Sequence, residues 1–353
     1  MKDSTGPARR ESGTGLADGR RDAAVETLRG LACVLLVLFH VRGDDAASGL
    51  RLDPQNPWSY VVDSVAYLRM PLFTFLSGFV YAARPNRGPL GSFTRGKARR
   101  LLVPMLVIGT AFAVLQQVSG RRAGGSGNTP WYLWHVLPVA HFWFLAAVFW
   151  VFLLVAALDR RGLLDRPAAV AGAFAASAAA HLTVPSVPDV LGLRSALYLA
   201  PFFLAGLAAQ RFSWQRAPRW LKVAVVAVAV AGAALTQAGL LGVVERIPVR
   251  GAVAIVLGAA GCLSLLLLRW RFRPLVLVGA FSFTVYTCHV FATSGTRTLL
   301  HAAGVEAVTV HVLAGTAAGL AFGTAVELLA RRRPWPAFLL LGQRLPSPGR
   351  ARA

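Results

Sequence analysis

Runs of roughly 20 apolar residues recur along the whole chain, and the basic residues between them crowd into alternate gaps. A helix that crosses a bilayer needs about 20 mainly apolar residues. Ten stretches satisfy this, at about 23–42, 59–83, 101–119, 142–158, 167–184, 193–211, 220–243, 250–268, 274–294 and 307–330. One set of alternate gaps carries 27 Lys and Arg residues, and the other carries 7. Cytoplasmic loops hold the excess of Lys and Arg in membrane proteins, so this asymmetry puts both termini in the cytoplasm. The expected fold is therefore all-α: a polytopic integral membrane protein of about ten transmembrane helices.

Composition narrows the alternatives. With 56% hydrophobic residues, mean hydropathy +0.56 and only 15% charged residues, an ordinary soluble domain is excluded. The net charge of +22 would suit nucleic-acid binding, but the arginines sit in short clusters and form no continuous basic face. Cys33, Cys262 and Cys288 all lie inside apolar runs, and no CxxC pattern suggests a metal or a disulfide framework. Residues 1–22 read as a disordered polar tail, 23–330 as the membrane domain and 331–353 as a basic cytoplasmic tail. The first apolar run lacks a small-residue cleavage site and reads as an uncleaved helix. Scarce Lys beside abundant Arg and Ala hints at a GC-rich bacterial genome, and so at the cytoplasmic (inner) membrane of a bacterium. The oligomeric state has no signature here.

The first span, ETLRGLACVLLVLFH, places an arginine and a histidine in a membrane helix. Charged groups there cost a few kcal/mol or more, and they usually face a cavity or a partner. Arg29 and His40 are eleven residues apart, which is about 20° in azimuth and roughly 16 Å along the axis. Asp22, Glu26 and Cys33 share that stripe, so one face is polar from the cytoplasmic end to mid-membrane. The plainer reading is an Arg29–Glu26 ion pair that orients the helix, with His40 as a hydrogen-bonded core residue.

An arginine, ten residues and a histidine in the first span resemble the signature of the membrane acyltransferase-3 family. Four further stretches agree: RMPLFTFLSGF (69–79), FTRGKARRLLVP (93–104), HFWFLAAVF (141–149) and LVGAFSFTVYTCHV (277–290). RMPLFTFLSGF is similar to the family's second-span motif, in the form found in the branch that resembles fucose O-acetylases. The resemblance implies transfer of an acyl group, usually acetyl, from cytoplasmic acyl-CoA (acetyl-CoA) to a hydroxyl acceptor. It covers nearly the whole chain after residue 22, and no SGNH hydrolase domain follows the tenth span. ETLRG stands where the family often has an acidic residue, Gly, Leu and Arg, with the acidic group three residues before Arg29.

Thioester-to-hydroxyl transfer needs a base, a donor to the developing oxyanion and exclusion of water. His40 suits the base because an imidazole titrates near working pH. Its use as a transient acyl carrier is the lesser reading. Arg29 suits the CoA phosphates, since guanidinium matches phosphate geometry. Arg95, Arg99 and Arg100 sit on the same side, where plain positive-inside charge is an equal reading. Arg69, two turns from Ser77, falls mid-span and needs a polar setting. Ser282, Tyr286, His289 and Thr293 form one polar face, read either as part of the site, with His289 catalytic, or as interhelical hydrogen bonding. His141 follows WYLWH at the outer interface, where aromatics form a belt; sugar stacking on Trp131, Trp134 and Trp143 is the minor reading. No metal is expected, and acyl-CoA serves as co-substrate. The acceptor is a cell-envelope glycan sugar or a small molecule such as a macrolide. A transporter or flippase is the alternative of another class, though no inverted repeat supports it.

Overall fold

The structure, a computed structural model, describes residues 22–43, 49–86, 88–119, 129–185 and 187–346. The expected N-terminal tail up to residue 21, and the basic tail from 347 onward, lie outside the described residues. Helices α1 (Ala23–Arg42), α2 (Pro57–Asp63), α3 (Arg69–Ala83), α4 (Leu90–Val118) and α5 (Trp143–Arg160) form the first half. The second half contains α6 (Pro167–Thr183), α7 (Leu193–Arg211), α8 (Arg219–Leu240) and α9 (Ala252–Leu267). It ends with α10 (Arg273–Ala280), α11 (Ser282–Ala302), α12 (Val308–Ala330) and α13 (Pro334–Leu341).

Local chemistry sets many of the helix starts. The Asp22 carboxylate caps α1 by accepting from the Ala24 N–H, and Asn56 does the same for α2 through Trp58. Proline occupies the first turn of α2, α6, α10 and α13, where a missing N–H costs nothing. Among the described residues there is no strand, only one isolated bridge between Trp134 and Leu137.

Six segments are long and apolar enough to cross a membrane: α1, α4, Ala140–Arg160, Val190–Arg211, α8 and α12. The α10–α11 pair adds a seventh if counted as one span. The remaining expected spans correspond to α3, α6 and α9, of 15, 17 and 16 residues. At 1.5 Å per residue these reach about 22–26 Å, so ten crossings of a roughly 30 Å core need their flanking turns as well.

Two spans read as continuous are broken. The stretch 59–83 is interrupted after α2 by turns at 64–68, where the Tyr67 hydroxyl donates to the Ile247 carbonyl. The Tyr67 backbone also presses on α9 so closely that a Cβ at Gly258 would lie 2.8 Å from its oxygen. The stretch 274–294 is not one straight helix: α10 and α11 meet at an angle of 86° at Phe281. Here α10 turns away to pack on α1. A Cβ on Gly30 would fall 2.0 Å from the Leu275 oxygen, and one on Gly279 would fall 1.9 Å from the Glu26 oxygen. Backbone thus meets backbone, as small residues allow in membrane bundles. The same device joins α3 to α7 through Gly78 and Gly206.

Along the sequence, basic-rich gaps alternate with basic-poor ones. Reporter fusions after residues 90 and 215 are expected to report cytoplasm, and those after 48 and 126 the opposite side. A reversed signal at any of the four would break the ten-crossing arrangement.

Candidate functional site

Three histidines from distant parts of the chain meet at the basic-poor end. His40 comes from the last turn of α1, His289 from the middle of α11, and His141 from the short 3-10 turn that precedes α5. Their ring centres lie 4.8 Å apart for His40–His289, 5.1 Å for His141–His289 and 5.5 Å for His40–His141. His40 therefore sits in the last turn of α1, at the end of the helix opposite Arg29.

Backbone hydrogen bonds fix the protons on two of these rings. His40 Nδ1 lies 3.0 Å from the Leu36 carbonyl, and His289 Nδ1 lies 2.8 Å and 2.9 Å from the carbonyls of Val285 and Tyr286. A carbonyl can only accept, so in the neutral rings both Nδ1 atoms carry the hydrogen and both Nε2 atoms keep a lone pair. His289 is fully buried, and its Nε2 meets no partner among the described residues. His141 is held from behind, since the Tyr286 hydroxyl donates to its backbone carbonyl.

A cavity of about 890 Å³ opens beside this cluster. His40 and His141 line it, together with Tyr286, Arg69 and Trp143, but His289 does not. His289 thus forms a layer behind His40. Arg69, expected mid-span, instead begins α3 just after the break at 64–68. Its guanidinium carbon lies 3.7 Å above the ring of Phe39, the residue before His40. Ser77 lies farther along α3 and spends its hydroxyl on the Phe73 carbonyl at 2.9 Å. Ser282 sits at the α10–α11 bend, its carbonyl 3.9 Å from the Cys33 sulfur. Neither serine reaches the cavity, so the polar face read along α11 divides, with Tyr286 and Thr293 at the cavity wall.

At the opposite end, Arg29 and Glu26 form the i,i+3 ion pair at 2.9 Å, with the carboxylate buried. On α1 the cavity lining begins at Leu36, about 10 Å along the axis from Arg29. The basic segment before the third span is helical and belongs to α4. Arg99 Nε donates to the Gly342 carbonyl at 2.9 Å, which ties α13 to α4, whereas Arg100 and Arg95 are exposed. The two neighbours should therefore fail differently. Arg99→Gln is expected to loosen α13, seen as faster proteolysis of the C-terminus. Arg100→Gln is expected to leave α13 in place and weaken acyl-CoA binding; unchanged affinity would leave Arg100 with topology alone.

Sequence reasoning named His141 as a candidate substrate-binding residue at the outer interface and treated Arg250 and Arg297 only as loop charges; all three line the cavity. The available signal for His141 was its position two residues before the WFL triplet. Among the described residues no group of three His, Cys, Asp or Glu side chains is arranged to hold a metal ion.

The comparison with protein families agrees with this architecture: the model of an acyltransferase domain matches residues 22–329. The chain belongs to the acyltransferase-3 family. Membership supports a membrane acyltransferase activity and a multi-pass membrane protein. The match reaches the acyltransferase-3 family as a whole and does not single out the branch that resembles fucose O-acetylases. No curated protein and no solved structure matches the chain.

Proposed function

We propose that this acyltransferase-3 protein moves an acyl group, acetyl in the simplest case, from cytoplasmic acyl-CoA to a hydroxyl presented in the cavity at the basic-poor end. The observation that carries the reading is the histidine cluster at the wall of an 890 Å³ cavity, with Nδ1 of His40 already committed to a backbone carbonyl. A general base must hold its lone pair toward the proton it takes, and a fixed tautomer supplies that without reorganisation. In the forward direction the acceptor hydroxyl gives its proton to His40 Nε2 as its oxygen attacks the thioester carbonyl. The carbon–sulfur bond then breaks, and the CoA thiolate takes up a proton. His289 keeps the His40 ring in place from behind, and Arg69 offers its charge near the developing oxyanion.

The donor binds at the other end, where Arg29 and Arg100 face its phosphates. Its acyl arm passes the roughly 10 Å of α1 between Arg29 and Leu36. Both termini lie in the cytoplasm of a bacterium, the spans number ten, and the acceptor is a cell-envelope sugar.

Purified protein in detergent, given radiolabelled acetyl-CoA and a panel of hydroxyl acceptors, tests the reading. Protein-dependent loss of thioester with label in the acceptor is expected. If label never leaves CoA, with acceptor transport in proteoliposomes instead, the chain works as a transporter.

A further inference from the structure

We infer that the acceptor is an anion: a hydroxyl compound that also carries a carboxylate or a phosphate, bound through the arginines of the cavity. This rests on the acyltransferase reading above and adds the acceptor's chemical class to it.

The basic-poor side has only 7 Lys and Arg residues in the whole chain, yet two of them, Arg250 and Arg297, line this one cavity. Arg69 joins them from the start of α3. Charge on this side opposes the topology signal, so its concentration at a single concave site calls for a separate cause. Among the described residues of the lining there are three arginines and no Asp or Glu.

The placement of these groups has a direction. Arg250 sits over two rings of the lining, 5.3 Å from the centre of Tyr198 and 5.6 Å from that of Trp143. Ring faces at these distances favour a cation between them, and a guanidinium matches the geometry of a planar anion. Arg69 is the other charged neighbour of Tyr198, and it is also the charged neighbour of His40. Arg297 donates to the Gly49 carbonyl at the rim. Arg250 and Arg69 therefore share the cavity wall with His40. An acceptor with its anionic group on Arg250 would be oriented with another part of the molecule toward His40.

The test uses three glycosides of one sugar: methyl glucoside, its uronate, and its 6-phosphate. Binding to the full chain is measured by equilibrium dialysis in a non-ionic, sugar-free detergent, and acyl transfer from acetyl-CoA is measured in parallel. At least one anionic glycoside is expected to bind about tenfold or more tightly than the neutral parent, because charge-assisted hydrogen bonds are roughly twice as strong as neutral ones. That advantage should shrink in high salt and in Arg250→Gln, with Arg250→Lys keeping part of it. Equal binding of all three, or an advantage untouched by Arg250→Gln, overturns the inference. So does phosphatidylglycerol that binds more tightly than either anionic glycoside, since the arginines would then serve lipid headgroups. Transfer to the neutral sugar at the rate of the anionic ones sinks the inference while the enzyme stands. Anion binding without thioester loss sinks the enzyme reading instead.

Discussion

His40→Ala is expected to lower acyl transfer by roughly 100-fold or more while acyl-CoA binding stays close to normal, because general-base catalysis contributes about 10²–10⁴. The structure sharpens this expectation. His40 lines the cavity and His289 does not, so His40→Ala removes the ring that the proposed reaction uses as base while His289 stays behind it. Arg29→Ala should instead weaken the donor, and it strips the buried Glu26 carboxylate of its guanidinium, which can also lower the folded amount. Arg29→Lys keeps the charge without the planar fork and should restore part of the affinity. Binding and turnover are measured for each variant at equal amounts in the membrane. Near wild-type turnover in His40→Ala would falsify the base assignment and move it to His141, the other ring of the cluster at the wall.

The second large effect is expected in the scaffold. Gly206→Ala would bring a methyl group to 1.9 Å from the Phe75 carbonyl oxygen, and Gly78→Ala one to 2.0 Å from that of Phe203. Both obstacles are backbone, so no side chain can swing aside and α3 and α7 must separate. Overpacking typically costs about 1–3 kcal/mol, and the close approach of membrane helices depends on small residues at such crossings. A melting temperature lower by roughly 2–10 °C is expected for either variant. Gly172→Ala is the control: nothing lies within 4 Å of its new Cβ, and alanine favours the helix of α6. Were Gly206→Ala as stable as the control, the two helices would not pack as described.

The helices, and the polar face of α1, were legible because periodicity and hydropathy act within one segment. The pairing of Arg29 with Glu26 followed from i,i+3 spacing alone, and the structure contains it. What escaped was set between segments. Residues 64–68 contain neither Gly nor Pro, and the break there comes from contacts with α9 and Ile247. The bend at Phe281 likewise follows from α10 lying against α1 through Gly30 and Gly279. His141 reaches the cluster through a turn in which Ala140 adopts φ +45°, a conformation that no hydrophobic pattern announces. Arg250 and Arg297 looked like loop charges because their neighbours in space are far away in sequence.

The two ends of the histidine cluster also differ in when they are made. His40 and His289 are 249 residues apart. At about 5–20 residues per second, α1 waits roughly 12–50 s in the cell before the helices that enclose its polar stripe exist. During that interval any neutralisation of Arg29 has to come from α1 itself. Glu26, one turn away on the same helix, supplies it before a tertiary partner is synthesised. The ion pair thus protects the nascent chain as well as the finished one, and an arginine in a first membrane helix becomes tolerable through a neighbour that arrives three residues earlier.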